Sequence, residues 1–146
     1  MNYTRIVLAA VAATVVDAVY GFIVYGVLVA TEFAHYPGVY RSNEVGMTYL
    51  PLMFVGILVG MLAAAMIYAK GYEGGSGVAE GARFGVLLGV FIAAVFAGVN
   101  YATLNVGRKV AVETAVAGLV EWTLAGVVIG LVYKPAASPS RRATGV

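Results

Sequence analysis

Four long apolar stretches follow one another along the chain, separated by short polar connections. They cover about residues 6–30, 49–68, 82–104 and 110–133. An α-helix rises about 1.5 Å per residue, so about 20 apolar residues cross a hydrocarbon layer of roughly 30 Å. The pattern therefore predicts an all-α protein, a four-helix transmembrane bundle with antiparallel, up-and-down helices. Residues 1–134 form one membrane domain in this interpretation, with no separate soluble domain.

The connections carry the residues of turns and membrane interfaces. Residues 31–48 include Pro37 and Gly38 and are predicted to form an irregular loop. Its tyrosines, Tyr36 and Tyr40, suit an aromatic belt at the level of the lipid headgroups. The connection at 105–109 is short, which favours antiparallel packing of the last two helices. Residues 135–146 are rich in Pro, Ser and Arg and are predicted to be a disordered cytoplasmic tail.

The composition supports a membrane protein and excludes several chemistries. Hydrophobic residues make up 62% of the chain and charged residues 11%, whereas soluble domains contain about 25% charged residues. Cysteine is absent, which excludes disulfides, thiolate metal sites and a cysteine nucleophile. The single histidine, His35, provides neither a metal cluster nor a catalytic triad. We therefore expect no enzyme activity, no cofactor, no metal and no nucleic-acid partner.

The distribution of Lys and Arg predicts the orientation in the membrane. Four spans place the N-terminus, the middle connection and the C-terminal tail on one side. That side holds six basic residues and the other side three. The six are Arg5, Lys70, Arg83, Lys134, Arg141 and Arg142, and the three are Arg41, Arg108 and Lys109. Because basic residues are retained inside, we expect both termini in the cytoplasm and the protein in the cytoplasmic (inner) membrane.

Small residues recur every four positions in three of the apolar stretches. They are Gly56 and Gly60, then Gly81, Gly85, Gly89, Ala93 and Ala97, and finally Gly126 and Gly130. At this spacing they form a groove along one helix face, in which a second helix can approach closely. Two interpretations stay open. The grooves pack within one bundle, or one of them contacts another chain in a homo-oligomer or a larger membrane complex.

Two acidic residues lie near the middle of the predicted membrane. Asp17 and Glu121 are each about 16 Å inside the ends of the first and fourth helices. A charged side chain there costs about 2.5 to 3.5 kcal/mol or more, so both are expected to face the bundle interior. No Lys or Arg lies at this depth to pair with them. The candidate hydrogen-bonding partners are Thr14, Tyr20, Tyr25, Asn100, Thr123 and the other carboxyl group.

These acids leave more than one function open. One or both could be protonated and join the helices by hydrogen bonds, or they could form a proton relay, a cation site or the anchor of a ligand cavity. Trp122 is expected to pack between helices or to line such a cavity. We first expect a non-enzymatic structural or accessory component that docks through its Gly and Ala faces. The alternative is a small carrier or channel for protons, cations or a polar solute.

The last two apolar stretches carry a resemblance to a known group of proteins. The segments NYATLNVGRK at 100–109 and AGLVEWTLAGVVIGLVYKP at 117–135 resemble small four-span bacterial membrane proteins of unknown function. In these proteins a third span ends in an Asn-Tyr-rich segment and a fourth carries an acidic or amide residue beside Trp. The resemblance implies a bacterial four-helix membrane bundle. It implies no activity for Asn100, Glu121 or Trp122.

Overall fold

The computed structural model of the protein describes residues 1–133. Within them, four helices are long and apolar enough to cross a membrane: Tyr3–Leu28, Leu50–Lys70, Gly77–Thr103 and Arg108–Val132. We call these the first to fourth spans. The prediction of an all-α membrane bundle is confirmed, while the antiparallel order of all four spans stays a prediction. The tail predicted at 135–146 lies outside the described residues.

Two of the spans are not regular α-helices throughout. The first is α-helical over Tyr3–Ile23 and continues as a π-helix over Val24–Leu28. The third is α-helical over Gly77–Ile92, π-helical over Ala93–Gly98 and α-helical again over Val99–Thr103. Two short helices, Ala30–Ala34 and Asn43–Thr48, lie in the connection between the first and second spans.

The ends of the spans follow from local chemistry and from packing. The side chain of Asn2 caps the first span by accepting a hydrogen bond of 3.2 Å from the backbone N–H of Arg5. Pro51 lies in the first turn of the second span, where its missing N–H breaks no helical bond. The third span begins at Gly77, five residues before the predicted start. Those additional residues include two glycines, Gly77 and Gly81, and they are held helical by close contact with the fourth span.

The first and fourth spans are central in the bundle. The first packs against both the second and the fourth, and the third packs along the fourth. The core lies near the end of the bundle that carries the N-terminus, which we call the terminal end. It comprises Ile6, Ala9, Ala10, Ala13, Met61, Ala64, Ala65, Tyr68, Ala125, Ile129 and Tyr133. The opposite end, with residues 29–49 and 104–107, is called the loop end.

Large apolar side chains cover the outside of the bundle. Leu52, Phe22 and Leu87 are among the most exposed, and many Val, Ile and Phe side chains share that surface. Soluble proteins rarely expose apolar patches larger than a few hundred Å². Such a surface is stable in contact with lipid chains. This explains why the four stretches are apolar along their whole length.

The glycines of the third span pack against those of the fourth. A Cβ atom on Gly85 would lie 2.8 Å from the Cα of Thr123, and one on Gly126 would lie 2.6 Å from the Cα of Gly85. Gly81 lies against Gly126 and Gly89 against Leu119, so the contacts run in opposite order along the two helices. These glycines, with Gly130 beside Gly77, are therefore used for backbone packing within the chain.

The remaining small residues have other surroundings. Gly56 and Gly60 have open space where a Cβ would project. Ala93 and Ala97 lie in the π-helical turn of the third span and line a cavity. The turn still packs against the fourth span, but its i→i+5 hydrogen bonding interrupts the regular four-residue spacing of the stripe.

Candidate functional site

The packing of the first span on the fourth brings the two membrane acids together. Asp17 is 7% exposed, which makes it the one buried charged side chain among residues 1–133. Its carboxyl group lies beside that of Glu121. A small residue lies one helical turn before each acid, Ala13 before Asp17 and Ala117 before Glu121. These small side chains let the two helices approach closely. The structure thus joins two residues that are 104 positions apart.

Two tyrosines of the first span hold this acid pair from one side. The hydroxyl of Tyr25 donates a hydrogen bond of 2.9 Å to Oε2 of Glu121. The hydroxyl of Tyr20 donates to the backbone carbonyl of Ala117, also at 2.9 Å. Their rings meet edge to face, with centroids 6.4 Å apart. Tyr25 therefore binds the acid directly, while Tyr20 fixes the first span on the fourth one turn away.

The other expected partners have different roles. Thr14 and Thr123 donate to carbonyl groups of their own helices, at Ala10 and Leu119, and are not partners of the acids. A threonine hydroxyl in a helix reaches the carbonyl four residues earlier more easily than a neighbouring helix. Trp122 packs against the core of the bundle and does not line the cavity described below.

A cavity of about 250 Å³ connects Glu121 with the loop end of the bundle. Glu121 and Tyr25 line its inner part, and Thr114 and Gly118 follow on the fourth span. Phe33, Tyr40, Val106, Asn100 and Tyr101 line the part toward the loop end. Asn100 thus lines the same cavity as Glu121, at the end of the cavity toward the loops. Glu121 therefore borders an open space, whereas Asp17 is buried beside it and does not line the cavity.

Both π-helical turns contribute to the walls of this cavity. The turn Val24–Leu28 carries Tyr25, and the turn Ala93–Gly98 carries Phe96. Isolated π-helical turns inside α-helices are frequent at functional sites. Neither turn is predicted by the pattern of the sequence. Each contains one glycine, Gly26 or Gly98, but this signal is too common in membrane helices to identify a π turn.

The connection after the first span supplies two aromatic residues to the cavity, Phe33 and Tyr40, of which the sequence predicted Tyr40 at the headgroups. Phe33 lies in the short helix Ala30–Ala34, and its ring stacks on Tyr25 with centroids 6.5 Å apart. Tyr40 lies 4.5 Å from Phe33 between ring centroids. Burial raises the pKa of Tyr40 above its ordinary value, so its hydroxyl is neutral at physiological pH. Tyr40 therefore lines the cavity in addition to any contact with headgroups.

Charge in the cavity is of one sign. Glu121 is the one charged residue among the residues that line it.

At the loop end, Lys109 forms ion pairs with Glu32 and, at 3.7 Å, with Glu113. The pair with Glu32 joins the first connection to the fourth span, and the pair with Glu113 lies within that span. Because the Lys109 side chain is largely exposed, they contribute little to stability.

The hydrogen bond from Tyr25 can be tested by removing one oxygen atom. We expect Tyr25→Phe to lower the free energy of unfolding by about 1 to 2 kcal/mol, because Glu121 loses its phenolic donor while the ring remains. Thermal melting in detergent, followed by circular dichroism, measures the change. Tyr3→Phe is the matched control, since Tyr3 is 70% exposed. Equal melting temperatures for the two variants would contradict a bond that stabilises the fold.

Comparison with known proteins identifies no relative of this chain. No known protein family, curated protein or solved structure matches the chain. The resemblance to small four-span bacterial membrane proteins therefore stays a prediction.

Proposed function

We propose that this protein is a small non-enzymatic carrier or channel of the cytoplasmic membrane that binds protons or cations at the Asp17 and Glu121 pair. The observation that carries the proposal is the cavity that joins Glu121 to the loop end. With both termini in the cytoplasm, as the Lys and Arg distribution predicts, this cavity faces the outside of the membrane.

Electrostatics favours a cation over an anion at this position. Two carboxyl groups lie side by side near the middle of the bundle, and no Lys or Arg lines the cavity. Charges interact more strongly there than in water because the surrounding dielectric constant is low. Two neighbouring carboxylates repel each other, so taking up a proton or a cation stabilises the pair. Acids in this setting are typical of proton and ion pathways.

The cavity also distinguishes this function from a purely structural one. Acids that only join helices would be expected in a closed interior without access to water. A space of about 250 Å³ beside Glu121 has room for roughly eight water molecules at about 30 Å³ each. Water in that space would connect the carboxyl group with the surface. Such a connection is required for exchange of a proton or an ion.

The packing of the glycines gives less support to docking of partners. Glycines of the third and fourth spans contact each other, so those faces are not free for another protein. Gly56 and Gly60 of the second span keep an open face. A homo-oligomer or larger complex assembled through that face is the second candidate function, and it is compatible with the first.

Reconstitution into liposomes tests the proposal. Purified protein in vesicles with a proton or sodium gradient should dissipate the gradient faster than protein-free vesicles of the same lipid. An entrapped pH-sensitive dye and a sodium indicator report the two ions separately. Absence of proton, sodium or organic-cation flux, together with a melting temperature that no cation changes, would overturn the proposed function.

A further inference from the structure

We propose that the cavity selects a small organic ammonium ion, held by the Glu121 carboxylate and by the faces of the surrounding aromatic rings. This inference rests on the proposed function, because it names the class of cation that the same site takes. It goes beyond it by assigning a binding role to Phe33, Tyr40 and Phe96.

Aromatic rings lead from the acid toward the loop end. Tyr25 donates to Glu121, Phe33 stacks on Tyr25 at an interplanar angle of 22°, and Tyr40 packs on Phe33. Phe96 lines the cavity from the third span. Rings therefore line the cavity from the first span, from the connection that follows it and from the third span.

This combination is specific in its chemistry. A ring face attracts an ammonium group electrostatically within about 6 Å of its centroid, and aromatic cages recognise quaternary ammonium ions in this way. The carboxylate supplies the opposite charge. Most remaining lining side chains are Ala, Val and Ile, which suit the apolar carbon atoms of an organic cation.

A bare metal ion fits the same space less well. Hard cations such as Ca²⁺ need about six to eight oxygen ligands. The cavity lining offers one carboxylate, and its other side-chain oxygen atoms belong to neutral hydroxyl and amide groups, those of Thr114, Asn100 and three tyrosines. Among residues 1–133 there is no group of three His, Cys, Asp or Glu side chains arranged to hold a metal ion.

The volume of the cavity limits the size of the ligand. Sites for drug-sized molecules occupy about 300 to 1,000 Å³, whereas this cavity has about 250 Å³. Tetramethylammonium is a suitable probe because it is small and carries a permanent charge. tert-Butanol has a similar shape without the charge, and sodium has the charge without the methyl groups.

Binding to the purified protein in detergent tests the inference by titration calorimetry and thermal melting. We expect tetramethylammonium to bind and to raise the melting temperature, with weaker binding of sodium and none of tert-butanol. Phe33→Leu removes the ring but retains an apolar side chain, so the Kd should rise about three- to thirtyfold. Phe22→Leu is the matched control, because Phe22 is 73% exposed on the first span and does not line the cavity. Its Kd should equal that of the wild type.

A second variant keeps the test decisive if Phe33→Leu does not fold. Phe96→Leu changes a ring that is 61% exposed on the third span and should also weaken tetramethylammonium binding. The inference is wrong if tetramethylammonium does not bind, or if neither ring variant changes its binding. The proposed function still stands in that case, provided that proton or sodium flux depends on Glu121. If no cation binds or crosses the membrane, both are wrong.

Discussion

Replacing Glu121 by glutamine is expected to reduce cation binding and flux by about a hundredfold or more while the protein still inserts and folds. Glutamine has the shape of glutamate and still accepts the hydrogen bond from Tyr25. It lacks the negative charge, which attracts a cation 4 Å away by about 4 kcal/mol at an effective dielectric constant of 20. Flux into liposomes and melting in detergent measure the two properties separately.

Glu113→Gln is the matched control for this substitution. Glu113 lies on the same span, eight residues before Glu121, and does not line the cavity. Its variant should keep the flux of the wild type. Asp17→Asn should reduce flux in the same direction as Glu121→Gln, since the two carboxyl groups share one site. If neither Asp17→Asn nor Glu121→Gln changes flux, the acids only join the helices.

Replacing Gly85 by leucine is expected to have the largest effect on the fold. A Cβ at this position would lie 2.8 Å from the Cα and 2.9 Å from the carbonyl oxygen of Thr123. The obstacle is backbone, so the third and fourth spans must move apart along their whole contact. Overpacking of this kind costs about 3 kcal/mol or more. We expect a melting temperature at least several degrees lower, or loss of folded protein in detergent extracts.

Gly56→Leu is the matched control, because nothing lies within 4 Å of a Cβ at Gly56. It should leave the melting temperature of the monomer unchanged. Size-exclusion chromatography with light scattering on the same sample tests the second candidate function. A change in oligomeric state with Gly56→Leu would identify this open face as an interface. Equal loss of stability in Gly85→Leu and Gly56→Leu would contradict the internal packing described above.

The sequence alone determined the all-α class of the protein, its four apolar spans and the position of its two acids along them. A segment that crosses the hydrocarbon layer must be long and apolar, and its backbone N–H and C=O groups must be hydrogen-bonded within the protein. The spans can therefore be recognised from hydropathy without any tertiary contact. The cost of charge in that layer also identified Asp17 and Glu121 as interior residues. Tyr25 was correctly included among their candidate partners, because it lies about two turns along the same helix.

Only the tertiary structure decided which surfaces meet. A stripe of small residues indicates that some helix approaches closely but does not say which, so the sequence could not assign the face of Gly85 to the fourth span and leave that of Gly56 open. The π-helical turns, and the folding of Phe33 and Tyr40 onto the cavity, depend on contacts between residues far apart in the chain. Such contacts have no periodic signature, because they arise from the fit of whole helices and not from local preference.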